Sequence, residues 1–282
     1  SGLVGSEMCI RDSIRPLQLR ILDILMAVDK VCKEHNLRYY IIAGTLLGAV
    51  RHKGFIPWDD DLDIGMPRAD YDLLMAHAAE WLPAPFEAVC FENDTTYPLP
   101  FAKIQDGSTT LIERMHLKYL GGIYLDVFPL DGMPDSKLAQ RLHFMKYFFY
   151  KKILYFIYRD PYRHGKGMSS WIPLLCRKFF TLKGVQETMR RMMKSYDFDR
   201  CDWVVDHDDG FKGVMPKHIL GTPAPILFEG KEVWGVEHPH LYLKQKYGEY
   251  MVVPPHSGQR QHNFHYLNLD KPYSCLLYTS PS

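Results

Sequence analysis

The chain has 282 residues, 46% of them hydrophobic, and its 34 Lys+Arg against 33 Asp+Glu leave a formal net charge of +1. That length and apolar content suffice for one large domain with a real core, and the charge balance gives the surface as a whole no pull toward nucleic acid or an anionic bilayer. Six Cys with no C-x-x-C pair and no repeating spacing argue against a disulfide framework or a zinc ribbon and predict free thiols in a reducing compartment.

Residues Ser1–Ser13 and Ser274–Ser282 read as non-native tails around a native segment over 14–273. Within it, Leu17, Ile21, Leu25, Val28 and Cys32 recur at helical spacing, predicting a helix over Pro16–His35 with the proline in its first turn. Tyr39–Ala43 reads as a buried strand, broken by Gly44 and Thr45 before a short helix, Leu46–Arg51. Asp61–Met66 alternates as a second strand, and Asp70–Trp81 is an amphipathic helix closed by Pro83. Phe86–Phe91, Pro100–Gln105, Thr109–Arg114 and Ile123–Phe128 follow as short strands. Past Pro134 the pattern turns helical over Ser136–Arg159, Trp171–Leu182 and Gly184–Tyr196. The expected organisation is a catalytic sheet over about 36–134, a helical region over 135–216 and a closing segment over 217–273, an α+β arrangement with a mixed β-sheet flanked by helices. No run of about 18 uncharged apolar residues occurs, so no transmembrane helix is expected. No basic stretch leads into an apolar leader, which points to the cytoplasm.

The stretch Ala43–Met66 carries the chemistry. Asp59, Asp60, Asp61 and Asp63 crowd into it, and on a strand Asp61 and Asp63 share a face, joined by Asp59 if the strand starts early, while Asp60 points away. Carboxylates this close repel unless a hard divalent cation neutralises them, and Mg²⁺ (or Mn²⁺ in its place) takes such oxygen donors. Gly44 and Thr45, between a strand and a helix N-terminus, suit the approach of a phosphate. Asp126 interrupts an apolar strand and is the candidate third carboxylate, because a buried lone Asp is costly. Asp131 is expected in the turn that follows. Arg51 and Lys103 are candidate phosphate contacts, Trp58 a candidate stacking surface, and Arg260 and His262 candidate rim residues in a polar loop. The aromatic, lysine-bearing helix His143–Arg159 is expected to be buried with its lysines snorkelling, with peripheral membrane contact as the competing reading.

With these residues in view, the chain resembles the LicD family of phosphotransferases, whose pattern extends to the fukutin-related proteins of animals. The resemblance is densest in AGTLLGAVRHKGFIPWDDDLDIGMPRADYDLL, GGIYLDVFPLDGMP and KYGEYMVVPP, the last followed by Arg260 and His262. It implies a nucleotidyltransferase fold and a site built from Gly44-Thr45, Asp61-x-Asp63 and Asp126, with Asp59, Asp61, Asp63 and Asp126 holding the metal and Asp61, Asp63 and Asp126 catalytic. It also implies a CDP-activated donor and a glycan or lipid-linked glycan acceptor, as in bacterial members that attach phosphocholine to lipopolysaccharide or teichoic-acid sugars. Nucleic acid is not an expected partner, and contact with the inner face of the plasma membrane is an open alternative. Two other functions fit the same residues: transfer of a nucleoside monophosphate from an NTP to a small molecule, and a non-catalytic, membrane-associated adaptor.

Overall fold

The computed structural model describes residues 10–112, 120–162, 167–255, 258–259 and 264–277. In chain order the elements are α1 (Ile10–Glu34), β1 (Tyr40–Ile41), α2 (Ala43–His52), β2 (Asp63–Pro67), α3 (Arg68–Trp81), β3 (Phe86–Val89), β4 (Ala102–Ile112) and β5 (Gly121–Met133). Then come α4 (Lys137–Tyr158), α5 (Met168–Phe179), α6 (Leu182–Met193), β6 (Trp203–Asp206), β7 (Val214–Pro216), α7 (Lys217–Leu220), β8 (Ala224–Phe228), β9 (Lys231–Gly235), α8 (Pro239–Tyr247), β10 (Tyr266–Asn268) and α9 (Ser274–Leu277).

The strands form one open mixed sheet in the order β10-β4-β5-β2-β1-β9-β8, with β3 on β4 and the pair β6–β7 joined through β5. Pairing is parallel for β2–β5 and β1–β9 and antiparallel for β1–β2, β4–β5 and β5–β6. The architecture is therefore α+β, with helices flanking a mixed sheet. Helix α1 forms because Leu17, Ile21, Ile24, Leu25 and Val28 fall on one stripe, and all five are buried in the main core with β1, β2, β4 and β5. A second apolar cluster lies under the helical region, where Phe144 and Tyr147 of α4 and Met189 of α6 meet Val205 and Val214. Ser136 and Thr181 cap α4 and α6 with their hydroxyls, as the sequence breaks there require.

Several elements differ from the sequence reading. Helix α1 starts at Ile10, so Pro16 lies inside it rather than in its first turn. The two strands expected over Pro100–Gln105 and Thr109–Arg114 are one strand, β4, with a register shift between Asp106 and Leu111. The Gly in between permits such an irregularity without ending the strand. β5 runs on past Phe128 to Met133, which takes Asp131 out of the expected turn and into the sheet, fully buried. Alternation puts Asp131 on the opposite face from Asp126. There Arg68 of α3 grips it with two hydrogen bonds of 2.7 Å, His207 Nδ1 lies 3.3 Å away, and His207 and His143 of α4 meet through their Nε2 atoms at 2.9 Å. Helix α4 is only half a core helix: Phe144, Tyr147, Ile153 and Leu154 are buried, but Leu138, Leu142, Met145 and Phe149 are exposed.

Candidate active site

The parallel pairing of β2 with β5 sets Asp63 directly beside Asp126, and the antiparallel pairing of β5 with β4 sets Asp126 beside Lys103. Residues paired across strands share a face of the sheet, so three adjacent strands present Asp63, Asp126 and Lys103 in one row. Lys103 is buried, donates from Nζ to Asp126 Oδ1 at 2.8 Å and lies 3.0 Å from the centre of the Tyr124 ring. Its ammonium therefore anchors a carboxylate, where the sequence suggested a phosphate contact. A buried ammonium is stable only with such a partner.

Asp59, Asp60 and Asp61 stand in the loop before β2, which begins at Asp63. Strand alternation does not govern them, and a carboxylate oxygen from each comes within 4.8 Å of the others. The expectation that Asp60 points away is thus corrected: the irregular backbone turns it in with its neighbours. Burial pushes the Asp63 carboxyl well above the usual carboxylate range, and the charges of Asp61, Asp126 and Asp59 add to this while Lys246 opposes it. That field ties the loop acids, the β2 acid and the β5 acid into one neighbourhood.

The loop is held from behind. Gln18 of α1, buried, donates from Nε2 to the carbonyls of Asp59 at 2.8 Å and Ile56 at 3.3 Å. Glu229, at the β8–β9 turn, accepts from the Phe55 N–H at 3.0 Å and is itself fixed by Arg15. In front, the start of α2 comes so close that a Cβ on Gly44 would sit 3.0 Å from Asp59 Oδ2. A side chain at this position would have to push the Asp59 carboxylate aside by a few tenths of an ångström. Thr45, also buried, accepts the Asp63 N–H on its hydroxyl at 2.8 Å and so sets the first residue of β2. Ala43 is in the left-handed region at φ 48°, a strained conformation for a residue with a Cβ, and its N–H donates to the Tyr242 hydroxyl at 3.2 Å.

Arg51, in the last turn of α2, is tied to the chain after α8 by hydrogen bonds to the carbonyls of Tyr250 at 2.9 Å and Val252 at 3.4 Å. Burial lowers its pKa and the charge of Asp59 raises it, which puts the guanidinium within the field of the acid loop. Trp58 packs partly against the main core, edge-on to His52, beside a recess of about 550 Å³ that Gln18 and Pro57 also line. Arg260 and His262 lie outside the described residues.

Three residues escaped the sequence reading. Gln18 sits on a helix that reads as apolar packing. Tyr242 and Lys246 come from α8, inside or next to the KYGEY block but without any local pattern to mark them. Lys246 is paired with Asp209 and keeps its charge: burial opposes it, but Tyr242, Asp209, Tyr247 and Asp206 more than offset that. Two lysines, Lys103 and Lys246, thus flank the acids.

The donor set fits a hard divalent cation: oxygen ligands only, several carboxylates within one ion's reach, and no soft sulfur among them. Two expected outcomes follow from the supports. Gly44→Ala forces Asp59 aside by a few tenths of an ångström and should weaken divalent-ion binding about tenfold, the scale of a displaced or poorly oriented ligand. Gln18→Leu leaves two buried carbonyls without their donor, and should cost about 1–3 kcal/mol in urea unfolding together with a similar loss of ion affinity by calorimetry.

Residues 36–156 match the family described as LicD/FKTN/FKRP, nucleotidyltransferase domain. Over 261 residues the chain is 28% identical to the lipopolysaccharide cholinephosphotransferase LicD of Haemophilus influenzae, covering 89% of this chain and 96% of that protein. A shorter stretch of 52 residues is 46% identical to an uncharacterized protein of Rickettsia prowazekii, spanning 18% of this chain and 20% of that one. The matched family domain contains α2, the acid loop, β2, β4 and β5, the elements that bring Asp63, Asp126 and Lys103 together. Residues 36–156 of the chain thus carry the sequence pattern of the LicD/FKTN/FKRP nucleotidyltransferase domain.

Proposed function

We propose that the chain transfers phosphocholine from CDP-choline to a sugar hydroxyl of a cell-surface glycan precursor, releasing CMP, on a nucleotidyltransferase fold. The observation that supports this most is the nearly end-to-end likeness to a lipopolysaccharide cholinephosphotransferase. In this reading Asp59, Asp61, Asp63 and Asp126, joined by Asp60, would hold Mg²⁺, which when bound supplies Lewis-acid stabilisation of charge on the diphosphate.

The chain's own residues do the rest. Gly44 and the α2 N-terminus form the floor against which the diphosphate lies, with the positive end of the helix toward it. Arg51, anchored by the Tyr250 and Val252 carbonyls, carries a fixed positive charge beside the acid loop, and Lys246 carries another near Asp63. Lys103 holds one oxygen of Asp126 so that the carboxylate is oriented toward the acceptor. The acceptor oxygen bonds to the choline-bearing phosphorus, its proton passes to Asp126, and the bond to the bridging oxygen breaks, leaving CMP as the product.

The test is a panel of CDP-choline, CDP-ethanolamine, CDP-ribitol and CDP-glycerol with Mg²⁺ and a lipopolysaccharide or teichoic-acid acceptor. CMP release from CDP-choline coupled to labelling of the acceptor is the expected result. Release of pyrophosphate from an NTP, with every CDP donor inert, would overturn the proposal.

A further inference from the structure

We infer that α4 and α5 form a docking face for an anionic lipid bilayer, a property independent of which group the active site transfers. The whole chain is nearly neutral, yet its positive charge gathers here: α4 carries Lys137, Arg141, Lys146, Lys151 and Lys152, α5 carries Arg177 and Lys178, and neither helix has an Asp or a Glu. Among the described residues, the same two helices hold half of the exposed large apolar side chains. On α4, Leu138, Leu142, Met145 and Phe149 recur at alternating steps of four and three and make one solvent-facing line. On α5, Ile172, Leu175 and Phe179 follow at steps of three and four with Trp171 beside them, and Trp171 is 66% and Phe179 70% exposed.

The inner side of α5 is already used. Ser170 and Pro173 are buried and Cys176 half-buried, one turn apart on the face that meets the protein. Arg177 binds the carbonyls of Ile157 and Arg159, each at 3.0 Å, and so ties the end of α5 to the end of α4. The outward apolar side stays largely exposed to solvent. Isolated exposed apolar residues need no explanation, but a cluster of aromatic and aliphatic groups on two joined helices does.

Charge decides what fits it. A second copy of this chain docking by the same face would oppose the two sets of lysines across a two-fold axis, and like charges that close are unfavourable. An anionic bilayer accepts both features at once: rings and aliphatic chains enter the boundary between headgroups and acyl chains, and the cations meet lipid phosphates. The lysines are placed for this. Lys152 lies over the rings of Tyr155 and Phe156, and Lys178 over Phe179, so ammonium groups stand beside the aromatic anchors, as snorkelling side chains do at an interface. An open groove of about 690 Å³ between α4 and α6, lined by Met145, Lys146, Phe149, Arg191 and Met192, extends the same basic and apolar character. No helix among the described residues is long and apolar enough to cross a membrane, so the contact is one of lying on the surface.

The experiment uses the full chain with sedimentable vesicles of phosphatidylglycerol mixed with phosphatidylethanolamine, and with vesicles of phosphatidylcholine. The expected result is binding to the first and not the second, declining as salt is raised. Lys146→Gln combined with Lys152→Gln and Lys178→Gln should weaken partitioning about 100-fold, at about fivefold for each cation lost near the surface. In the wild type, brominated acyl chains should quench tryptophan fluorescence, and Trp171→Phe should remove that quenching while leaving the other four tryptophans unaffected. This second readout decides the matter if the triple variant does not fold, as judged by circular dichroism. Equal binding to both vesicle types, no binding, or an unaltered folded triple variant would overturn the inference. So would vesicle-free self-association abolished by Trp171→Ser with Phe179→Ser, which would make the face an interface between copies.

Discussion

Asp126→Asn is expected to lower turnover about 1000-fold, a loss of about 4 kcal/mol of transition-state stabilisation, and to abolish the rise in melting temperature that the proposed site predicts for the wild type with Mg²⁺. The substitution keeps size and shape and removes only charge. It acts twice. The acids around Asp63 lose the member contributed by β5, and Lys103, which is buried and donates to Asp126 at 2.8 Å, is left facing a neutral amide. Without metal the variant should therefore unfold more easily than the wild type. Asp63→Asn separates the two effects. Asp63 is the carboxyl that burial and the charges of Asp61, Asp126 and Asp59 already disfavour, so neutralising it relieves repulsion in the metal-free protein. That variant should be at least as stable as the wild type in chelator, yet lose both turnover and the metal-induced shift. At an ion concentration of about 100 times the dissociation constant the wild type gains about 2.7 kcal/mol, which both variants should forfeit. Wild-type turnover or a full metal shift in either one would exclude a metal site shared between β2 and β5.

Arg68→Leu should destabilise the fold by about 3–5 kcal/mol at neutral pH, the usual consequence of leaving a buried charge without its partner. Asp131 has no exposed surface, and the guanidinium supplies its two shortest contacts. Burial alone would push the Asp131 carboxyl up, but the charge and hydrogen bonds of Arg68, with His207, outweigh burial and hold it below the ordinary value. The sign of the pH dependence follows. A carboxyl depressed in the folded state contributes stability that is present above its unfolded pKa of about 3.9 and is lost as pH falls through the lower folded value. In the variant the charge and hydrogen bonds of the arginine are gone and burial dominates, so protonating Asp131 becomes favourable to folding. The gap between variant and wild type in urea midpoint should then narrow as pH is lowered from 7 toward 4. His143 does not titrate in competition over most of that range, because burial first and His207 second push it down to about 4. Pairing Arg68→Leu with Asp131→Leu should recover most of the loss, because apolar side chains then replace the isolated charge. A flat pH profile, or a single variant as stable as the wild type, would show that this pair does not support the sheet.

The elements whose evidence is local were legible in the sequence. The stripe Leu17–Cys32 gave α1, Pro83 ended the helix before it, and Ser136 opened the helical stretch of α4, whereas the break at Thr181 between α5 and α6 fell inside one predicted helix. The candidate site was legible in part for the same reason: a buried-type strand broken by a lone Asp, and a run of Asp between Trp58 and Leu62, are unusual on their face. β6, β7 and the β8–β9 hairpin were not legible, because they are three to five residues long and their burial depends on β5 and β1, which lie far away in the chain. The length of β5 was missed because Pro129 and Gly132 look like turn residues, while β6 pairs with that end and keeps it extended.

The amino-acid order by itself determined the carboxylate inventory, the glycine at the mouth of α2 and the family pattern, since each is a matter of which residue types stand close together along the chain. Only the tertiary structure decided that Asp63 and Asp126 are lateral neighbours, that Lys103 belongs to Asp126, that Gln18 and Glu229 brace the acid loop, and that Asp131 answers to Arg68 on the other face. Those relations arise from strand register and helix docking between segments tens to hundreds of residues apart. No local spacing encodes them, because register is set by the burial of whole faces at once.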